Sequence, residues 1–389
     1  MGLNGIGRLA RARPYAVAFL ADCGNALFVF TLTRRLAEGG GSPLDLGVWG
    51  TCNSLSYALA AALFGHLADR LGPRRLIAGG GLLLALSYAG ALARPEWPWV
   101  LAWAVSAGIA VAAIFPPLIS LISGGRAGGG TRHLILFCLA WNGGMISGQT
   151  GGGLLFSFDP SRALIAGAAV GLAIAGIAPL LRPAAPVAAA VERPAAVDAS
   201  TGRFFAVYGW LANVSSAFCM SLILYALPKL LTQLEVAAPQ HGLMLTGGRV
   251  AVVLTYVLLH FTQFWRHRLW PALAVQTVAI GGLWVLGTAT HTVLLAAGVA
   301  GIGVMMGYNY FSGIFYSTTG FARRGLASGL HEASIAAGFT VGAVGGGLVG
   351  LYWGLRLPYL LCIGPVCLFA LVQVGAYWRL RRRVADPGR

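Results

Sequence analysis

Apolar residues run along this chain in blocks of about twenty, and the charges collect in the short stretches between them. A helix needs roughly 20 apolar residues to cross a bilayer's hydrocarbon core, where every backbone polar group must be paired inside the protein. The blocks predict twelve such helices, over residues 14–33, 45–65, 76–93, 99–123, 133–156, 163–181, 204–231, 242–263, 271–289, 293–319, 326–352 and 357–378. RPEWP (94–98), with two prolines and two charges, predicts a tight turn between the third and fourth. The stretch RPAAPVAAAVERPAAVDASTGR (182–203) is rich in Pro and Ala, holds five charges and is too polar to span. It reads as a flexible cytoplasmic linker. The expected organisation is therefore a six-helix bundle over 1–181, the linker over 182–203, a second six-helix bundle over 204–378 and a basic tail over 379–389.

Composition supports an all-α integral membrane protein. Of the 389 residues, 57% are hydrophobic and only 10% charged, against roughly a quarter charged in ordinary globular domains. The net charge of +16, from 27 basic and 11 acidic residues, raises nucleic acid as a partner. The clustering of the basic residues between apolar blocks leaves no continuous basic face, so nucleic acid is not expected. Their distribution instead sets orientation, because cytoplasmic loops carry the excess of Arg and Lys. With both termini cytoplasmic, the inner segments hold 20 basic residues and the outer loops six (Arg34, Arg35, Arg94, Arg162, Lys229, Arg356), with Arg249 left inside a helix. The inner arginines, RLRRR (379–383) among them, would face anionic lipid headgroups. The expected location is a plasma membrane of bacterial inner-membrane type, and the expected state is a monomer. Arg8, Arg11 and Arg13 ahead of an apolar stretch imitate a secretory signal, yet Asp22 and Asn25 interrupt it and no cleavage site follows. This reads as a retained first helix.

Several chemistries lack their residues. The six cysteines lie inside apolar blocks with no CxxC and no Cys/His spacing suited to zinc, so they read as packing residues, and no metal or cofactor is expected. There is no phosphate-binding Walker A sequence, no potassium-filter sequence and no nucleophile, metal or paired-carboxylate constellation for an intramembrane enzyme.

The most specific motif is GHLADRLGPRR, joining the second and third predicted helices. Gly65, Asp69, Arg70, Gly72, Arg74 and Arg75 keep the order glycine, acid, basic, glycine, basic, basic. In this the chain resembles the major facilitator superfamily, whose loop signature is called motif A; Pro73 is a small departure. The resemblance implies two six-helix bundles rocking around a midplane site, with the first, fourth, seventh and tenth helices lining a central cavity. It also implies that Asp69 latches onto the start of the eleventh helix and holds the inner gate shut, which suits an acid near a helix N-terminus.

An internal repeat agrees. GMISGQTGGGLL (144–155) and GFTVGAVGGGLV (338–349) pair Gly144, Gly148, Gly151, Gly152 and Gly153 with Gly338, Gly342, Gly345, Gly346 and Gly347 at an offset of half the chain. Parallel repeats of this kind build two-bundle transporters, and glycines four apart let helices approach closely or slide. The first copy resembles the superfamily's antiporter motif in its fifth helix, but Gln149 stands where that motif has proline. The second-half counterpart of motif A, LHFTQFWRHRL (259–269), has Gln263 in place of the acid, so one latch is expected and not two.

Ionisable residues deep in a membrane span are costly and mark function by default. Asp22, with Asn25 on nearly the same face, is the first candidate to carry a proton or contact a cation, because a desolvated carboxylate can load and unload a proton. Glu332 beside His331 is a second proton-coupling candidate, with an interhelical bridge as the alternative. Arg249 is the buried cation, suited to a helix partner or to a substrate carboxylate or phosphate. Tyr308, Asn309, Ser312 and Tyr316 predict a polar aromatic face on the tenth helix; Asn213 and Tyr225 do the same on the seventh, where Pro228 removes a backbone hydrogen bond. Pro116 and Pro117 allow the fourth helix to bend. Trp103, Trp141 and Trp210 are further ligand candidates, though packing is the commoner role of a membrane tryptophan.

The reading is a secondary active transporter of a small organic solute, working by alternating access with protons or another coupling ion and tilted towards efflux by antiport. An importer of a small anion or metabolite anchored on Arg249, and a sensor or scaffold that moves nothing, stay open.

Overall fold

A computed structural model describes residues 3–123, 131–181, 199–319 and 324–385. Among the described residues the chain forms twelve helices: α1 (Leu3–Glu38), α2 (Pro43–Leu71), α3 (Pro73–Ala93), α4 (Trp99–Ser123), α5 (Thr131–Phe158), α6 (Pro160–Ile177), α7, α8 (Ala238–Phe261), α9 (Trp270–Thr288), α10 (Thr292–Thr319), α11 (Arg324–Trp353) and α12 (Leu357–Ala385). α7 runs as Ala199–Ser221, one π turn at Leu222–Ala226, and Leu227–Gln233. The π turn has a local cause: Pro228 has no N–H to give and its ring crowds the preceding turn, so the ladder widens just before it. Most of the expected linker, residues 182–198, lies outside the described residues.

Ten of the described helices carry stretches long and apolar enough to cross a membrane. The other two, α2 and α5, have 29 and 28 residues, long enough to span, but Asp45, Asn53, Ser54 and Ser56 dilute the first and WNGG with SGQTGGG the second. These two helices carry the contacts between bundles, where a fully apolar surface is not required.

Helix starts are encoded locally. Ser42 accepts from the Asp45 backbone while Asp45 accepts from the Ser42 backbone, a reciprocal cap that fixes the entry of α2. Asp159 accepts from the Ser161 backbone at 2.8 Å and Pro160 fills the first helical position of α6. These bonds from Ser161 hold the Asp159 carboxyl below its ordinary pKa. Gly72, at φ +83°, turns the chain from α2 straight into α3.

Each half packs its own core, one centred on Phe28, Trp49, Leu84 and Tyr88, the other on Trp265, Tyr256, Leu283 and Tyr359. Pairing repeats between the halves: α1 with α5, α2 with α4, α3 with α4 and α6 in the first; α7 with α11, α8 with α10, α9 with α10 and α12 in the second. Large apolar side chains such as Leu59, Leu86, Leu172, Trp284 and Leu371 stay exposed on the outside, as lipid-facing residues must. The bundles meet through α2 against α11 and α5 against α8.

The repeated glycines build these contacts. Added methyls at Gly144, Gly148 and Gly152 would collide with Phe19, Cys23 and Phe30 of α1, and at Gly338, Gly342 and Gly346 with Val214, Ser221 and Leu222 of α7. Gly153 lies against Ala238 and Gly242 of α8, and Gly347 against Pro43 and Gly47 of α2. Gly151 meets nothing within 4 Å.

Candidate functional site

A cavity of about 240 Å³ lies between the bundles. One end of the molecule is sealed over it. There the start of α2 abuts α11, and the end of α5 abuts the start of α8. The Arg34 guanidinium donates to the Val236 carbonyl at 2.8 Å and to Glu38 at 2.6 Å, while Lys229 Nζ donates to the Ala37 carbonyl at 3.2 Å. Thr150 and Thr246 share a hydroxyl bond of 2.7 Å, and Thr51 donates to the Thr340 carbonyl at 3.1 Å. Lining residues near this end are buried: Phe30 and Thr33 are 1% exposed. Towards the other end, which holds both chain termini, Ile119 is 47% exposed and Glu332 is exposed too. Among the described residues, the cavity is therefore closed at one end and open towards the other.

Three ionisable side chains face it. Asp22 comes from α1, ten residues into its apolar stretch Ala12–Glu38, which is about 15 Å of helix. Arg249 lies near the middle of α8, so both charges sit at mid-depth, 6% and 4% exposed. Asn25 and the Arg249 charge are the neighbours of Asp22. The Arg249 guanidinium carbon sits 6.0 Å from the Trp141 ring. Glu332, on α11, accepts a long 3.4 Å bond from the Tyr310 hydroxyl. Trp141 and Tyr310 bring their rings to 5.9 Å across the gap between bundles.

The expected residues divide between this cavity and the interior of the second bundle. Asp22, Asn25, Tyr225, Arg249 and Glu332 line the cavity, and so does Trp141. Tyr225 stands in the π turn and packs on Gly50 and Trp49. His331 is fully buried and bonds Asn213 at 2.9 Å; it points away from the cavity because adjacent helical residues are turned by about 100°. Tyr308, Asn309, Ser312 and Tyr316 border a small recess between α7, α9, α10 and α12, with Asn309 bonded to the Ala212 carbonyl and the Tyr316 hydroxyl accepting from the His267 backbone. α10 presents Met306 and Tyr310 to the cavity instead. Trp103 bonds the Arg94 carbonyl and Trp210 bonds Ser317.

Composition hid several lining residues. Asn53, Ser54 and Tyr57 of α2 and Gln149 of α5 face the cavity; the polar content of the two less apolar helices was the available signal. Gln149, at the place of the expected proline, leaves α5 unbroken from Thr131 to Phe158. In the motif joining α2 and α3, Arg70, Arg74 and Arg75 are exposed. Gly65 nears Pro116 of α4. The side chains of Asp69 and of the first turn of α11, hence the expected latch, are outside what the structure describes.

Two pseudo-symmetric six-helix bundles around a mid-depth cavity open to one side define a membrane transporter of the alternating-access class. The sequence model of the Major Facilitator Superfamily matches residues 15–319, and the chain belongs to that family. Solved structures share the fold. The nucleoside transporter NupG superimposes with a TM-score of 0.68 at 15% identity, covering 95% of this chain and 99% of that one. A bacterial homologue of the human lysosomal transporter Spinster, inward-facing and occupied, gives 0.69 at 13% identity over 98% and 97%. The human organic anion transporter MFSD10 (TETRAN) gives 0.60 at 18% over 93% and 99%. No curated protein matches the chain in sequence.

Proposed function

We propose that the chain is a proton-coupled exporter of a small organic solute, exchanging it for protons, with both termini in the cytoplasm. On that orientation the described state faces inward: the sealed end is external and the open end receives the solute. The observation that carries the reading is the placement of two carboxyl groups, Asp22 deeply buried and Glu332 towards the open end, in a cavity sealed on one side and open on the other. A carboxyl at mid-depth meets water from one side at a time, so it can be loaded on one side and unloaded on the other. Asp22 and Glu332 would carry the coupling proton, Arg249 and the aromatic wall would hold the solute, and motif A would secure the inner gate. The cavity volume lies just under the ~300–1,000 Å³ common for small-molecule sites, which favours a compact metabolite over a bulky amphiphile.

The test is proton movement in proteoliposomes that enclose a pH-sensitive dye, with a library of small metabolites added. A solute-dependent proton flux, opposite in direction to solute movement and lost in Asp22→Asn, is expected. Flux in the same direction as the solute would overturn export by antiport. Transport without any proton movement would overturn proton coupling.

A further inference from the structure

The two mid-depth charges belong to opposite bundles: Asp22 is on α1 and Arg249 on α8. They sense one another across the cavity, yet the ion pairs among the described residues are Arg34 with Glu38 and Arg94 with Glu96. Asp22 and Arg249 do not touch. Removing an ion from water costs several kcal/mol unless a well-placed partner offsets it. Arg34, equally buried, shows what a structural arginine does here: it binds a carboxylate and a carbonyl at the sealed end. Arg249 makes no hydrogen bond or ion pair to the protein among the described residues, although its guanidinium carries five donors. Trp141, whose ring lies 6.0 Å from the Arg249 guanidinium carbon, has an unpartnered indole N–H, and Gln149 has an unpartnered amide oxygen; both line the cavity. A donor set and an acceptor set are thus left open across one cavity.

We infer that the cavity takes a small zwitterion, an amino-carboxylic acid whose carboxylate sits on Arg249 and whose ammonium sits on Asp22. A simple anion satisfies Arg249 but adds negative charge near Asp22 and Glu332. A simple cation leaves Arg249 unpaired and is repelled by it. A zwitterion neutralises both charges and ties the two bundles together, which is how binding favours closure around the solute. The remaining wall is apolar, with Val29, Phe115, Leu245 and Met306, around a cavity of about 240 Å³. An apolar side chain of modest size fits.

This inference rests on the proton-exchange reading for its coupling step. The solute ammonium and a proton compete for the Asp22 carboxylate. The solute leaves with Asp22 ionised, and the empty cavity returns with Asp22 protonated, so one proton exchanges for one solute of zero net charge.

Binding of leucine, phenylalanine and 6-aminohexanoate to the protein in nanodiscs, read by calorimetry and by tryptophan fluorescence, tests the assignment. Each is compared with its N-acetyl derivative, which loses the positive charge, and its methyl ester, which loses the negative one. At least one parent is expected to bind ten-fold or more tightly than both of its derivatives. Arg249→Gln should erase the preference over the ester, and Asp22→Asn the preference over the N-acetyl form. The derivative series on the unaltered protein decides the matter even where a variant fails to fold. A derivative that binds as well as its parent, or no binding by any parent, overturns the inference. Flux measurements keep the two readings apart. A proton flux driven by an N-acetyl derivative upholds transport and overturns the zwitterion, whereas the expected binding pattern without flux upholds the site and overturns transport.

Discussion

Replacing Gly47 by alanine should wedge the sealed end open. The added Cβ would lie 2.5 Å from the Ala343 carbonyl oxygen and 3.1 Å from the Gly347 Cα. Ordinary contact begins at 3.4 Å, so α2 and α11 must separate by roughly 0.9 Å. Neither side yields easily, because the obstacle is helix backbone and the entry of α2 is fixed by the reciprocal bonds of Ser42 and Asp45. Overpacking of this kind costs about 1–3 kcal/mol. The cost falls on the state sealed at this end, so the equilibrium shifts by roughly 5- to 150-fold at 1.4 kcal/mol per factor of ten. The assay is labelling of a single cysteine at Thr33, inside the seal, in a protein whose six native cysteines are replaced. A membrane-impermeant thiol reagent added on the sealed side should react at least five-fold faster in Gly47→Ala. Gly79→Ala, with nothing within 4 Å of the added methyl, is the control. Equal labelling in the two variants, with both well folded, would refute the assignment of this contact as the seal.

Other outcomes follow from the same geometry. Gly148→Ala places a methyl 2.3 Å from the Cys23 carbonyl and should lower the melting temperature by several degrees; Gly151→Ala, three residues on in open space, should leave it unchanged or raise it, since alanine is the better helix former by about 0.5–1 kcal/mol. Arg34→Gln removes the charged donor to the Val236 carbonyl; a charged hydrogen bond contributes about 1.5–3 kcal/mol, so the Thr33 cysteine should label at least ten-fold faster. Glu332→Gln should reduce solute-dependent proton flux while leaving the melting temperature within a few degrees, because the protein bond it weakens among the described residues is the long one from Tyr310. Tyr316→Phe removes the acceptor of the His267 backbone N–H; it should lower stability by about 1 kcal/mol without changing solute binding, as it lies outside the cavity.

What could be read beforehand was set by periodicity and by chemistry that carries a large cost. Twelve apolar blocks, the charge-bearing loops and the glycine repeat place helices and pair halves, because burial and backbone pairing leave few alternatives in a membrane. Asp22, Arg249 and Glu332 were legible for the same reason, since isolated charges in apolar blocks have few places to go. Rotation about a helix axis was not legible. α10 is polar and aromatic on more than one side, and a shift of a single residue, about 100°, separates Tyr310 in the cavity from Asn309 in the bundle interior. His331 and Glu332 divide in the same way. The lining role of Asn53 and Tyr57 on α2 and of Gln149 on α5 was not legible, because these are ordinary residues whose meaning comes from the helices opposite them.

The glycine repeat joins these points. Along α5, Gly144, Gly148 and Gly152 recur every four residues and bring the helix down onto α1; Gly153, one residue on, faces α8 of the other bundle. Along α11, Gly338, Gly342 and Gly346 do the same towards α7, and Gly347 faces α2. One row of small residues therefore fixes each helix to its own bundle, while the next position meets the other bundle with no side chain to interlock. Close packing is bistable when knobs must leave holes; here the surface between bundles is glycine against glycine, Gly153 on Gly242 and Gly347 on Gly47, and the polar bonds across it are few. Asp22 rides on α1 and so moves with α5, and Arg249 rides on α8, whose start is the surface that Gly153 touches. A solute bound to both charges thus acts on α1, which carries α5 with it, and on α8, and so on one of the two helix pairs that form the seal; closure at one end and release at the other are consequences of the same pair of contacts.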